Sequence, residues 1–388
     1  MEYKVFYGGW YQRTTLHLTE IYDFFAFGKS KLKLDSSKLN LYHQNLGFKK
    51  VSRESGYLEF VSAETENGIL VKYFEDGLYV LERDSKDIPS SVNELEAYFE
   101  KVLNPAISYI FSLGAPTPKI LANIKQDHPV VVFAIQKDHG KYNLDSKLYG
   151  EVYSKISADK FTVYKTPKYI FIVADKSQLS SSTNLVEMQI FFREFKDQLE
   201  RYLNIHRNIW EDITEIKDGG KILGKDVSKT KIRLDSYDRS ISLINNRINQ
   251  MGTYVKTRQS IAKELGVELH LSKIFDYKFE TLINTLAYIK EIWLMTKDYV
   301  KNVSTILSDI ENQSLNNSLK SLQVITSIGV VSGIIGYLSK SEIPTITKAG
   351  WGYLAILLFS TLILNLLVIT YYKNIKYKLK ISDTSTKI

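Results

Sequence analysis

The chain has 388 residues, no cysteine and a formal net charge of +8. Such a length predicts two or three structural units, and the missing cysteines exclude disulfides and thiolate metal centres and suit a reducing compartment. Up to residue 372 the basic residues are interleaved with acids along helical faces, so no nucleic-acid partner is expected.

The opening stretch MEYKVFYGGWYQRTTLH has no apolar core of signal-peptide length. From there to residue 180 the pattern predicts an α+β cytoplasmic domain. Runs rich in β-branched and aromatic residues at 3–8, 57–63, 68–74, 78–83, 130–136 and 168–175 predict strands, and Asp76-Gly77 predicts a hairpin. One helix is predicted over 91–114, capped by Ser90 or Ser91 and broken or kinked near Pro105.

Over 181–320 the period becomes helical. Stretches 183–218, with Thr183 as cap, and 224–265 predict two long antiparallel helices. A third starts near Leu271, with apolar positions Phe275, Phe279, Leu282, Leu286, Ile289, Trp293, Val300, Val303, Leu307 and Ile310. Steps of four and three, interrupted only by Thr296, predict helix-on-helix packing. No Pro or Gly lies between Leu271 and Ile328, so this stalk is predicted to run unbroken into the apolar segment that follows.

Two apolar runs close the sequence, at 321–339 and 351–372. The second holds 22 residues without a charge, enough at about 1.5 Å per residue to cross a hydrocarbon layer of about 30 Å. Together they predict two C-terminal transmembrane helices joined by an external loop, 340–350. Lys373, Lys376, Lys378 and Lys380 lie in the tail 373–388, against Lys340, Glu342 and Lys348 around the loop. The positive-inside rule then predicts a multi-pass protein of the cell (inner) membrane with both termini cytoplasmic. The tail lysines are expected to meet anionic headgroups of the lipid bilayer.

One stripe carries the stalk into the membrane: Asn312, Asn316, Lys320, Gln323, Ser327, Val331, Ile334 and Leu338. At helical spacing these positions stay within an arc of about 100°. The stripe is polar up to Ser327 and apolar beyond it, while Gly329 and Gly333 form a small-xxx-small pair on the other side. Intramembrane polar residues usually face a bundle interior, so the stripe is the candidate pore lining.

An α/β domain, long helices, a stalk entering the first of two C-terminal spans and a basic tail together resemble the CorA superfamily of divalent-cation transport proteins. In that family the first span ends in Gly-Met-Asn, and five such ends form a ring selective for hydrated magnesium. Gly336-Tyr337-Leu338 stands at that filter position here, keeping the Gly and departing at the other two residues. A ring of Leu338 offers no amide oxygen to a hydrated ion. Lys320 on the stripe and a loop of net charge +1 oppose divalent entry. The resemblance implies a homo-oligomer, a pentamer in this family, acting as an ion channel or transporter gated by its cytoplasmic domain. Magnesium or another divalent cation would be substrate or regulator, with no other cofactor and no enzymatic activity. A small-molecule- or nucleotide-triggered membrane effector, as in the CRISPR-linked branch, and a non-conducting scaffold are the alternatives.

Other signals are weak. GGKILGKD (219–226) spells a phosphate-loop pattern but ends in Asp and has no strand before it, so it reads as a helix–helix turn. His17, His43, His128, His139, His206 and His270 lack ligand spacing, and no metal site is assigned. Asp309 and Glu311 read as a solvated face, and Asn365 as an interhelical hydrogen-bonding group.

Overall fold

The computed structural model describes residues 2–11, 17–111, 128–158, 160–338 and 348–379. Strand β1 (Tyr3–Trp10) precedes helices α1 (Leu18–Phe27) and α2 (Ser36–Leu46), then β2 (Phe48–Ser55), β3 (Glu59–Thr65), β4 (Leu70–Phe74) and β5 (Leu78–Ser85). Helices α3 (Ile88–Tyr98) and α4 (Asn104–Phe111) follow, then β6 (Val130–Ile135), α5 (Ser146–Tyr149), β7 (Ser154–Ser157), β8 (Phe161–Lys165) and β9 (Tyr169–Ala174). The rest is α6 (Leu179–Asp218), β10 (Lys221–Leu223), α7 (Gly224–Glu264), α8 (Glu268–Phe275), α9 (Phe279–Leu338), α10 (Lys348–Asn374) and β11 (Lys376–Lys378).

The described residues divide into two compact units. Unit 1 is 1–205 with 243–292, and unit 2 is 206–242 with 293–388. The division falls inside α6, α7 and α9, whereas a boundary near residue 180 was expected where sheet gives way to helix.

In unit 1, nine strands form one sheet in the order β2-β3-β4-β5-β1-β6-β9-β8-β7. Only β6 and β9 run parallel; the other pairings are antiparallel. Strands β6 and β9 are apolar almost throughout, and β5 over Leu78–Leu81, because both faces of the sheet are covered. One face packs on α1–α4 through Ile21, Phe24, Leu95 and Ile107. Against the other lies α6, where Trp10 stacks on Phe195 and meets Phe191 edge-on. A Cβ at Gly8 would sit 2.6 Å from the Tyr79 carbonyl oxygen, so β1 admits no side chain there.

The six predicted strands and the hairpin at Gly77 (φ +91°) are present. Strands β2, β7 and β8 were missed. The predicted 91–114 helix starts earlier: Asp87 caps α3 by accepting from the Ser90 backbone N–H. Its kink is a π turn at Phe99–Leu103, one residue before the segment carrying Pro105, whose missing N–H breaks the i to i−4 ladder. Ser112–Gly114 lie outside the described residues. Thr183 is no cap; it lies inside α6, with its hydroxyl donating to the Leu179 carbonyl.

The stalk is broken at its start. Helix α8 is capped by Asp276, in the left-handed region at φ 57°. The Asp276 N–H donates to the Ser272 carbonyl, the bond of an αL helix cap, and the Tyr277 N–H reaches the Leu271 carbonyl. Lys165 of β8 donates to the Ile274 carbonyl at 2.7 Å, and Tyr277 stacks on Phe192 at 4.2 Å. From Phe279 the helix runs 60 residues to Leu338.

In unit 2, the end of α6 and the start of α7 form a hairpin in which Tyr237 and Arg233 both bond Asp212. Burial disfavours the Asp212 charge, but those hydrogen bonds outweigh it and hold the carboxyl below its ordinary range. The seam predicted on α9 is buried from Phe279 to Ile310, including Thr296. Within unit 2 it meets α6, with Trp293 against His206 and Tyr299 stacked on Trp210 at 4.9 Å.

Candidate functional site

Beyond Ile310, helix α9 loses its cover. Asn312, Asn316, Lys320, Gln323, Ser327, Val331 and Ile334 are all exposed in the single chain. So are the apolar residues between them: Ile328 is 62% and Val331 54% exposed. Helix α9 is long and apolar enough to cross a membrane, and the apolar window has no residue buried within the chain. Gly329 and Gly333 face open space, with nothing within 4 Å of a Cβ built at either. Among the described residues, then, α10 does not occupy this small face. Gly336, Tyr337 and Leu338 are the last residues of α9, with side chains outside the described set, as is the loop 339–347.

Helix α10 is also exposed, with Phe359, Leu362, Leu366 and Leu367 uncovered. Asn365 Oδ1 is buried and has no hydrogen-bond partner among the described residues, so the expected interhelical bond is not made there. At its far end, the Tyr372 hydroxyl lies 2.8 Å from Ser321 Oγ of α9. Four residues later β11 pairs antiparallel with β10, Lys221 opposite Lys378, Ile222 opposite Tyr377 and Leu223 opposite Lys376. The Gly224 N–H donates to the Ile375 carbonyl at 3.1 Å, and a Cβ at Gly224 would lie 2.7 Å from the Tyr372 carbonyl oxygen. The glycine-containing turn set aside as a phosphate loop is thus a docking strand for the tail, and its last glycine is fixed by close approach.

Unit 1 holds the second candidate, a cleft of about 210 Å³ between the β3–β4 end of the sheet and helices α6 and α7. Tyr57, Phe60 and Phe74 give it aromatic walls, and Lys72, Glu187 and Arg258 give it charge. Lys72 Nζ is 3.0 Å from Glu187 and 4.0 Å from Glu82. Burial works against its charge, but the two carboxylates outweigh that and raise the Lys72 ammonium above the ordinary lysine value. Arg258 is 2% exposed, bonds Asp76 at 2.6 and 2.9 Å, and lies between the Phe74 and Phe191 rings. These pairings join residues far apart in sequence, so no local motif announces them.

No three His, Asp or Glu side chains converge as a metal site among the described residues. His43 bonds the Phe25 carbonyl, His139 meets Thr162, and His128 lies 2.6 Å from Asp197. Glu311 is taken by Lys231 at 3.2 Å, which removes it from a cation pair with Asp309. No family model, curated protein or solved structure matches the chain, so the resemblance to the CorA superfamily rests on the order of its elements.

Proposed function

We propose that the chain is a CorA-like membrane protein, a homo-oligomer whose α9 segments surround an ion path controlled by the cytoplasmic body. The observation that carries this reading is the return of the chain at the end of α10. Tyr372 bonds Ser321 near the start of the apolar part of α9, and β11 docks on the α6–α7 turn. A chain that leaves and returns at one level makes a two-span hairpin with both ends on the same side, the cytoplasmic one by charge. A lone hairpin would set Asn316, Lys320, Gln323 and Ser327 against lipid or its edge, and oligomerisation removes that cost. The path is narrowest at Val331, Ile334 and Leu338, where apolar rings exclude water instead of coordinating an ion, so magnesium selectivity is poor.

A ligand-triggered membrane effector is the second reading, supported by the unit 1 cleft with its aromatic walls, buried Arg258 and half-buried Lys72. Reconstitution into liposomes separates the two. Flux of magnesium, zinc, potassium and chloride is measured with and without a panel of nucleotides. Constitutive, weakly selective flux supports the channel, flux only with a nucleotide supports the effector, and none under any condition leaves a scaffold. Replacing Tyr337-Leu338 by Met-Asn is expected to raise magnesium uptake. A parent that is already magnesium-selective, and unchanged by the replacement, overturns the apolar-constriction reading.

A further inference from the structure

Lys221, Lys225, Lys373, Lys376 and Lys378 gather where the α6–α7 turn meets the end of α10, and all five are exposed. None of their side chains has an ion-pair or hydrogen-bond partner among the described residues. The strand register makes this unfavourable for the fold alone. Lys221 lies directly opposite Lys378, and Lys376 shares their face, while Ile222 and Tyr377 take the other face, with Tyr377 buried. Like charges directly opposite in a two-stranded ladder repel. An anion held between them would relieve that repulsion.

We infer that this β10–β11 collar is a binding surface for the headgroups of anionic phospholipids. The inference rests on the membrane reading proposed above. Position favours a lipid over a nucleic acid. Lys373 is in the last turn of the apolar helix α10 and Lys376 three residues on, whereas Lys221 and Lys225 come from 150 residues earlier in the chain and are brought alongside by pairing. The lysines thus border an uncovered apolar surface, the combination a phospholipid presents in reverse: acyl chains against Phe359 and Leu366, phosphate against ammonium. The tail alone supplies three of the five charges, and the turn supplies the rest only once β10 has formed.

The test uses the full chain in an uncharged detergent, with native mass spectrometry of bound phosphatidylglycerol and phosphatidylcholine. Phosphatidylglycerol is expected to be retained preferentially and phosphatidylcholine not. Each lysine removed should lower that preference about five-fold, equivalent to about 1 kcal/mol. Lys221→Glu separates binding from folding, because it replaces a cross-strand repulsion by an attraction. It should raise the melting temperature while lowering lipid preference; a variant that lowers both marks a purely structural lysine and overturns the inference. Equal retention of the two lipids overturns it too, as does equally tight binding of inorganic phosphate or of a DNA duplex. Extraction from membranes by alkaline carbonate reports on the other reading. A chain that washes off is not membrane-spanning, whereas one that stays but shows no headgroup preference fails here alone.

Discussion

Asp76 and Arg258 show what a buried charge costs and returns. They are 3% and 2% exposed, and the pair meets bidentately with aromatic rings on either side of the guanidinium. Removing one partner strands the other charge in a low-dielectric interior, at a cost of about 3–5 kcal/mol. Asp76→Asn and Arg258→Met should each lower stability by that order in chemical denaturation of the full chain. Combining them should recover part of the loss, since no charge is left unpaired. A second residue-scale effect is alkaline. Tyr7 is pushed up to about 12, chiefly by burial and then by Glu96, Glu100 and Glu194. An unfolded tyrosine ionises near 10. Its contribution is therefore complete below about pH 10 and is lost as pH rises toward 12. Phenolate absorbance followed alongside unfolding should show this loss, reduced in Tyr7→Phe.

At the scale of elements, the break between α8 and α9 is set by one residue. Asp tolerates the left-handed region better than most side chains, but only glycine does so freely. Asp276→Gly should hold or raise the melting temperature, and Asp276→Val should lower stability by about 1–2 kcal/mol. Asp276→Asn controls for the charge and should stay near the parent. Equal melting temperatures for the Gly and Val variants would mean the turn opens without consequence. The π turn before Pro105 is the opposite case, a helix interruption forced by a missing donor and absorbed by one wider turn.

At the scale of the whole molecule, the distinction is between surface used inside one chain and surface left over. The apolar positions of α9 from Phe279 to Ile310 are consumed by the chain's own helices. What remains is the uncovered stretch from Asn312 onward, with Gly329 and Gly333 facing open space. Close helix approach needs that space empty. Gly333→Leu should thus reduce the oligomer fraction in light scattering or native mass measurement while leaving far-ultraviolet dichroism unchanged. Val331→Leu, one methylene larger on the proposed axial side, should not. Equal oligomer yields, or a monomeric parent, would remove the basis for an axial path.

The sequence alone determined the features that depend on local period and on composition. Alternating β-branched runs marked six strands, helical periods marked α6, α7 and α9, and the charge-free run 351–372 marked α10, because side-chain spacing fixes which face each element can bury. It also marked the buried seam on α9, though not its partner. Strands β2 and β7 escaped because they are the sheet's edges, where polar residues such as Lys49, Lys50 and Lys155 dilute the pattern, whereas β8 was passed over although it is buried from Phe161 to Tyr164. Only the tertiary structure decided that the seam packs within the chain, that Arg258 finds Asp76 across 182 residues, and that the basic tail returns to the α6–α7 turn. Each depends on which distant surfaces meet, and a heptad, a buried arginine or a run of lysines looks the same in sequence whichever partner it finds.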